Sequence, residues 1–490
     1  MEKKMSEGGL QRKVFSGLVW KFGERIGAQA VSFLVSIILA RLLLPSEYGI
    51  VALVTIFIDI ANVFVSSGFG SALVQKKDAD EVDFSSVFYF SVAMSWLLYG
   101  VVFLAAPWIA GYYKEPALSP VLRVMALKLP LAGVNSVQQA YVQKNMLFRR
   151  FFFSTLIGTA GSAVVGIAMA YGGFGAWALV AQYLFNSTVD TLVLWFTVRW
   201  RPARTFSMQR MKTLFGFGWK MLCSELIHTS YGKIRSMIIG KVYTKEDLSF
   251  YEQGGKLPSI IVTNINSSVS SVLFPAMTLK QDNQKKMKEM VRLSIRVSSY
   301  IMWPLMIGLM MMTEPVVRLV FSEKWLPCVP FMQIACIQYA LEPVQTANVQ
   351  AVKAMGKGRT YLIMEIVKKS FGIVMIVAVM YRGVMAIAVT AMIVTFFAAL
   401  VNSTPNRKFL GYSYREQLAD LLPSILLAAA MGVFVYFAGR IPVPAIAGIC
   451  LQILTGIVVY VILSLIFRVS QFEYIVNAIK SFWNVFRHRK

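Results

Sequence analysis

Fourteen stretches of this chain are runs of roughly 20 or more mostly apolar residues. They fall at about 14–40, 49–73, 84–110, 118–143, 151–171, 174–198, 213–240, 253–279, 293–317, 328–352, 360–381, 383–402, 420–438 and 443–467. Runs of that length match the ~30 Å hydrocarbon core of a bilayer at ~1.5 Å of rise per residue. Several contain Pro or Gly, which spanning helices tolerate when neighbours satisfy the backbone. The connectors are short and polar, so no inserted soluble domain is expected. The pattern predicts an all-α polytopic membrane protein with about 14 transmembrane helices.

Charge interrupts the first run. Residues 14–40 lie between Lys13 and Arg41, 27 residues or about 40 Å of helix, with Glu24 and Arg25 near the middle. At about 100° per residue, Lys21, Glu24, Arg25, Ala28, Gln29, Ser32 and Ser36 share an arc of about 140°. Phe22, Ile26, Phe33, Leu34 and Ile37 occupy the opposite face. Charge is expensive in hydrocarbon, so a spanning helix with this stripe faces a protein interior or a watery cavity. The other reading is a separate interfacial helix over 14–25, with the span beginning at Ile26.

A weak internal repeat favours one continuous helix. Trp20-Lys21 recurs as Trp219-Lys220, Glu24 has a near-counterpart in Glu225, and Ile38-Leu39-Ala40-Arg41 recurs as Ile238-Ile239-Gly240-Lys241. Glu47 follows Arg41 by six residues, as Asp247 follows Lys241. An offset of about 200 residues places six spans in each unit, and an even number keeps both copies in the same orientation. The expected organisation is a six-helix bundle over 1–205, a second over 206–412, and two extra helices with an amphipathic cytoplasmic tail over 413–490.

The seventh run mirrors the first. Residues 213–240 lie between Lys212 and Lys241, and Lys220, Ser224, His228, Tyr231 and Arg235 fall within about 80° of arc. Glu225 flanks this stripe, while Lys233 lies on the other side. Two cationic stripes at equivalent places predict a central, net positive cavity that suits an anionic substrate such as a phosphate or diphosphate head group. In the competing view these charges only neutralise one another. Asp59 and Glu342 lie deep in their spans, where a carboxylate either binds a coupling proton or sodium ion or is paired with a cation. Arg296, Glu314, Lys368 and Lys369 lie near span ends and are read as snorkelling.

Composition agrees with the periodicity: 57% of the 490 residues are hydrophobic, and the mean hydropathy is +0.61. The net charge of +25 raises the question of nucleic acid, but its distribution answers it. With the N-terminus placed inside, the inner connectors and termini hold thirty Lys and Arg residues and the outer connectors eight. Basic residues concentrated in short alternate loops orient a protein in a membrane. Both termini are therefore expected in the cytoplasm, and no nucleic-acid partner is expected. The basic N-terminus shows no cleavage site of signal-peptide type.

Little chemistry is written into the loops. The four cysteines are scattered, and His228 and His488 are the only histidines, so neither a disulfide framework nor a metal site is expected. Gly216-Phe217-Gly218 and Gly356-Lys357-Gly358 lack the strand context and spacing of phosphate loops, so no cofactor is expected. The sequons at Asn186, Asn266 and Asn402 lie in or beside spans and are chance matches. No nucleophile triad or carboxylate pair stands in an external loop, which argues against an enzyme. Over 471–486, Phe472, Ile475, Val476, Ile479, Phe482, Trp483 and Phe486 recur at helical spacing before a basic end, which predicts an amphipathic surface helix.

Together these segments resemble the bacterial polysaccharide exporters, the oligosaccharide flippases of the multidrug/oligosaccharidyl-lipid/polysaccharide superfamily. The resemblance rests on Trp20, Glu24-Arg25, Gln29 and ILARLLLPSEYG (38–49), then SALVQKKD (71–78), FSSVFYF (84–90), GFGAWALVAQ (173–182) and RWRP (199–202). It continues with IGKVY (239–243), KLPSII (256–261), LFPAM (273–277), EKWLP (323–327), AMGKGR (354–359) and EIVKK (365–369). No single motif is decisive, but their order and spacing are specific and extend to about Pro423. Within the family the sequence is similar to exporters of colanic-acid-like and teichuronic-acid-like repeat units. The resemblance implies two six-helix bundles around a cavity, two further C-terminal helices, and alternating access driven by an ion gradient. It also implies undecaprenyl-diphosphate-linked oligosaccharide as substrate. In the related lipid II flippases, cationic residues of the first helix line the cavity. Aligned on Arg41, those positions do not fall on Lys21 or Arg25, so their role here rests on the helical stripe alone.

The expectation is a non-enzymatic flippase of the bacterial inner membrane. Lys21, Arg25, Gln29, Lys220, His228, Tyr231 and Arg235 contact an anionic lipid-linked oligosaccharide, and Glu24, Asp59, Glu225 and Glu342 serve coupling or ion pairing. The alternatives are an ion-coupled small-molecule exporter of the same superfamily, whose cavity should be acidic or aromatic, and a membrane glycan polymerase or ligase.

Overall fold

The computed structural model describes residues 27–487 except 67, 77, 146, 281 and 282, with backbone only at 148–151, 217, 272, 478–479 and 481–487. Lys21, Glu24 and Arg25 lie outside the described residues. Among the described residues the chain is helical, with no strand. It divides into two compact units, Met1–Ser249 and Phe250–Lys490.

The first unit holds α1 (Gly27–Leu42), α2 (Pro45–Ser66), α3 (Phe69–Gln75), α4 (Glu81–Tyr113), α5 (Leu118–Met125), α6 (Lys128–Lys144), α7 (Phe148–Tyr171), α8 (Ala176–Thr197) and α9 (Met208–Val242). Helix α10 (Lys245–Thr278) crosses the division. The second unit continues with α11 (Gln284–Met311), α12 (Thr313–Val320), α13 (Val329–Ala340), α14 (Glu342–Ala354), α15 (Gly358–Val379) and α16 (Val384–Leu410). It ends with α17 (Tyr414–Ala438), α18 (Ala445–Ile466) and α19 (Ser470–Arg487).

Over the described residues, the apolar stretches coincide with helix, and four of them are interrupted. The second breaks at Gly68, whose φ of 93° belongs to the left-handed region that favours glycine. The others break between α5 and α6, at Met312 between α11 and α12, and at Leu341 between α13 and α14. Among the described residues eight helices are long and apolar enough to cross a membrane: α2 continuing into α3, α4, α7, α10, α11, α16, α17 and α18. The remaining stretches are shorter, more polar or interrupted. The chain is a multi-pass membrane protein.

In the first unit, α2 packs against α4, α5, α6, α8 and α9, while α7 lies along α8. One core gathers Phe69, Leu73, Phe84, Phe88, Val137, Leu194, Trp200 and Leu214 from α3, α4, α6, α8, α9 and the connector 198–207. Burying a side chain of this size is worth roughly 1.5–3 kcal/mol, so the core fixes this end of the bundle. In the second unit, α11 is central, touching α13, α14, α16, α17 and α18. The helix expected over 471–486 is α19, and its Phe472 and Ile475 pack against the core made by Tyr300, Met306, Met431 and Tyr460.

Connectors assigned by charge to one side meet one another within each unit. Lys76, Asp83 and Arg210 cluster at one end of the first unit, and Glu115 pairs with Lys245 at the other. In the second unit Lys288, Arg292 and Arg296 meet Glu416 and Asp420, while Arg318 pairs with Glu314 and Glu323. The division at Ser249 reflects packing, and the division expected at 205 reflects chain order, so the two criteria answer different questions.

Candidate functional site

The site is built on α9, which is fixed at both ends. At its start, Asp83 of α4 is fully buried and accepts from Lys76 at 2.6 Å and Arg210 at 3.4 Å. The hydroxyls of Ser85 and Ser86 accept the backbone N–H groups of Ala203 and Ser207 at 2.9 and 3.0 Å. Ser207 then caps α9 by accepting from the Arg210 N–H. At the far end Lys241 lies 3.8 Å from the centre of the Tyr112 ring and donates to that residue's carbonyl. Lys245 pairs with Glu115 at 2.9 Å.

Between these ends α9 lies antiparallel to α2. A Cβ at Gly49 would run into the Lys245 backbone, one at Gly240 would meet Leu53, and one at Gly68 would stand 2.6 Å from the Gly218 carbonyl. Close backbone approach therefore requires glycine at Gly49 and Gly68, while at Gly240 a side chain would have to move. Within the seam Lys233 of α9 pairs with Asp59 of α2 at 2.9 Å.

The packed face of α9 and its polar stripe are separate, neighbouring arcs of the helix. Met211, Leu214, Gly218, Ser236, Ile239 and Gly240 are buried, and at about 100° per residue their arc lies beside that of Lys220, Ser224, His228, Tyr231 and Arg235, with centres about 110° apart. No residue from 219 to 235 is buried. Lys220, Glu225 and His228 are exposed and make no ion pair or hydrogen bond among the described residues. Tyr231 and Arg235 are half-buried, and the Arg235 Nε is enclosed without an acceptor. From Lys220 to Arg235 this track spans roughly 22 Å. A lysine, a histidine and an arginine along a helix within a membrane bundle require water or an anion opposite them.

The other expected residues are placed separately. Gln29 is half-buried in α1, where Gly27 lies beside Leu156 of α7. Glu225, expected to orient the cations, has no cationic partner among the described residues. Glu342 opens α14 in the second unit, beside a cavity lined by α10 and Tyr339.

Sequence reasoning passed over Lys256 as a site residue. It is half-buried in α10, and its side chain makes no hydrogen bond or ion pair among the described residues. Glu252, one turn earlier, suggests an ordinary pair at i,i+4, and that pair is not formed. Asp190, by contrast, is held by neutral donors: Asn135 donates at 2.8 Å, and the Ser154 hydroxyl also donates to it.

Comparison with known proteins places this architecture. The chain is 24% identical over 459 residues to the succinoglycan biosynthesis transport protein ExoT of Rhizobium meliloti, covering 91% of this chain and 92% of that one. It is 26% identical over 391 residues to the teichuronic acid biosynthesis protein TuaB of Bacillus subtilis, covering 77% and 78%. Its fold is similar to that of the lipid II flippase MurJ in an inward closed conformation, with a TM-score of 0.74 at 14% identity over 92% of this chain and 98% of that one. Residues 38–330, more than half of the chain, match the profile of Polysacc_synt_3, so the protein belongs to this family of polysaccharide biosynthesis proteins.

Proposed function

We propose that the protein is a non-enzymatic flippase that moves lipid-linked oligosaccharide repeat units from the inner to the outer leaflet of the bacterial cytoplasmic membrane by alternating access. The observation that carries this reading is the basic track of α9, with Lys220 and Arg235 flanking His228 on one face and no acid paired with them among the described residues. A fixed array of cations in a low-dielectric setting favours a polyanionic head group, such as a diphosphate. Names of relatives support the substrate class: ExoT is a succinoglycan transport protein, and MurJ is a lipid II flippase.

In this reading Arg235 and Lys220 hold the diphosphate of an undecaprenyl-linked glycan. His228, Tyr231 and Gln29 contact phosphate or sugar, and Lys21 and Arg25 extend the track from the first helix. Lys256 is a further cation for the same anion. Both termini are cytoplasmic, as the thirty-to-eight distribution of basic residues favours. The two bundles, 1–205 and 206–412, rock about the substrate, and 413–490 flanks the second.

A strain lacking the protein tests the reading. Complete repeat units on the lipid should accumulate on the inner leaflet, and Arg235→Ala or Arg25→Ala should reproduce the defect at normal protein abundance. Truncated glycans, or unpolymerised units on the outer leaflet, would point to an enzyme. Unchanged lipid-linked sugars would point to efflux of another solute.

A further inference from the structure

A second cavity, of about 660 Å³, lies wholly within the second unit and shares no residue with the cation track. Its volume falls in the range of about 300–1,000 Å³ usual for small-molecule sites. Four parts of the chain wall it: the α11–α12 break, one face of α13, the end of α17, and Gln452 of α18. Spacing sets the face of α13, where Val329, Gln333 and Ile337 recur at i, i+4 and i+8. Pro315 has no N–H, so the Met311 carbonyl misses the regular bond of a continuing helix. Irregular backbone at membrane depth is tolerated where it lines a cavity, as it does here. In the orientation proposed above, the connectors at this end, with Arg318, Lys324 and Arg440, lie on the outer side.

The cavity wall has spare hydrogen-bonding capacity of both kinds. Gln452 is 3% exposed, and its Nε2 donates to the Val435 carbonyl at 3.2 Å, yet its Oε1 receives no donor among the described residues. Gln333 spends its Nε2 on the Thr313 hydroxyl at 3.2 Å, and its Oε1 is likewise without a donor among the described residues. Arg318 reaches Glu314 through Oε1 alone, at 3.1 and 3.2 Å, so Oε2 remains a third open acceptor among the described residues. Donors stand beside these acceptors. Arg440 uses Nη2 on the Tyr436 hydroxyl, and its Nε and Nη1 have no acceptor among the described residues. The Tyr436 hydroxyl accepts that bond and keeps its own proton to donate. Gly439 leaves room for the arrangement, since a Cβ there would stand 2.2 Å from the Gln452 Nε2.

This inventory selects a class of ligand. An ionised phosphate only accepts, and three acceptor oxygens in the wall oppose it. A lipid tail would leave the buried Gln452 oxygen unpaired, a cost that a hydroxyl removes. A hydroxyl donates and accepts, so a ring bearing several of them satisfies the three oxygens, Arg440 and Tyr436 together. The C–H edges of such a ring have Met311 and Ile334 as apolar wall.

We propose that this cavity is a saccharide-binding site, in which Glu314, Gln333 and Gln452 accept from sugar hydroxyls and Arg440 and Tyr436 donate to them. The site deepens the flippase reading, on which it rests, by adding recognition of the glycan to that of its diphosphate. It holds a sugar of the repeat unit on the outer side, which makes letting go of the glycan a step distinct from letting go of the diphosphate.

The test is a saturation-transfer NMR titration of the purified full chain in detergent. The probe is the oligosaccharide repeat unit obtained by partial acid hydrolysis of the host's own surface polysaccharide. Undecaprenyl diphosphate binding is measured on the same samples. The wild type should bind the oligosaccharide, and Gln333→Leu, Gln452→Leu and Arg440→Ala should each weaken that binding about tenfold, with diphosphate binding unchanged. Monodisperse elution checks the fold of each variant, and the two exposed positions, Gln333 and Arg440, decide the matter if Gln452→Leu aggregates. Absence of oligosaccharide binding in the wild type, or binding undiminished in the variants, overturns the site and leaves the diphosphate reading intact. Phospholipid retained by the wild type and lost from Arg440→Ala, without oligosaccharide binding, overturns it in favour of a lipid. Oligosaccharide binding without diphosphate binding would support the site and remove the glycolipid reading.

Discussion

Lys233 of α9 and Asp59 of α2 form an ion pair at 2.9 Å on the face of α9 opposite the Lys220–Arg235 stripe. Both side chains retain about a third of their exposure, 30% and 38%. The pair therefore sits at the edge of the α2–α9 seam, where each partner removes the cost of leaving the other unpaired at membrane depth. In the proposed repeat scheme α2 belongs to the first bundle and α9 opens the second. Any rocking of the bundles that parts these helices must open this pair and the glycine contacts on either side.

Charge reversal should expose that role. Asp59→Lys or Lys233→Asp places two like charges together and should lower glycan export at least tenfold, while the double exchange should recover to within about threefold of the wild type. Coupling energies of contacting residues, about 0.5–3 kcal/mol, correspond to changes of this order. Export and abundance measured in the four strains check it. Additive losses in the double variant would mean that the pair is incidental.

The glycine seam makes a graded prediction. An alanine methyl at Gly49 would lie 2.5 Å from the Lys245 carbonyl carbon, a backbone atom that cannot turn away. At Gly240 the obstacle is the Leu53 side chain, which can rotate. Overpacking costs about 1–3 kcal/mol, so Gly49→Ala should lower the unfolding temperature more than Gly240→Ala. Gly216→Ala, with nothing within 4 Å, should be neutral or slightly stabilising. Thermal unfolding of the three purified variants gives the order directly.

These relationships mark where reading the sequence stops. Bilayer thickness constrains some 20 residues at once, so every apolar stretch was legible, and the stripe on α9 followed from spacing within one helix. Lys233 could be seen to leave the stripe, but its partner is 174 positions away, and no local pattern signals a contact between helices. The break at Leu341 was hidden because membrane helices often absorb proline, and Pro343 reads like any other. Lys256 reads as one more charge within a span, and nothing in its spacing marks it as a site residue. Glu342 was picked out by depth alone, while the cavity beside it depends on α10, which is distant in sequence.

Acid should loosen the start of α4. The Asp83 N–H donates to the Asp80 carboxylate at 2.9 Å, and Arg210 lies 3.1 Å away. The hydrogen bond first, and the guanidinium after it, hold this carboxyl below its ordinary value of 3.8. Because the folded value is the lower one, the ionised cap stabilises the fold above pH 3.8 and is lost as the pH falls through the folded value. Protection of the amides at 80–86 against hydrogen exchange, relative to their intrinsic rates, should therefore fall below about pH 4. Asp80→Asn, which still caps but carries no charge, should flatten that dependence. An unchanged acid response in the variant would assign it to another carboxylate.

Asp420 of α17 anchors the second unit more firmly than any single pair. Its side chain is 1% exposed and receives five donors from three residues: Arg292 by Nε at 2.8 Å and Nη2 at 2.9 Å, Arg296 by Nε at 2.7 Å and by Nη2, and the Tyr412 hydroxyl at 2.8 Å. Arg292 uses both carboxylate oxygens, whereas Arg296 reaches only Oδ1, so the fork of Arg292 is the stronger hold. Asp420→Ala leaves two guanidinium groups side by side and a buried hydroxyl without an acceptor. The loss should be about 3 kcal/mol, at the low end for a broken buried pair because each arginine is about one-third exposed. Arg292→Ala should cost less than Asp420→Ala, and Arg296→Ala least, because the fork survives it. Unfolding temperatures in detergent should fall in that order. A larger effect at Arg296 than at Arg292 would show that the two bonds to Oδ1, rather than the fork, hold α17 against α11.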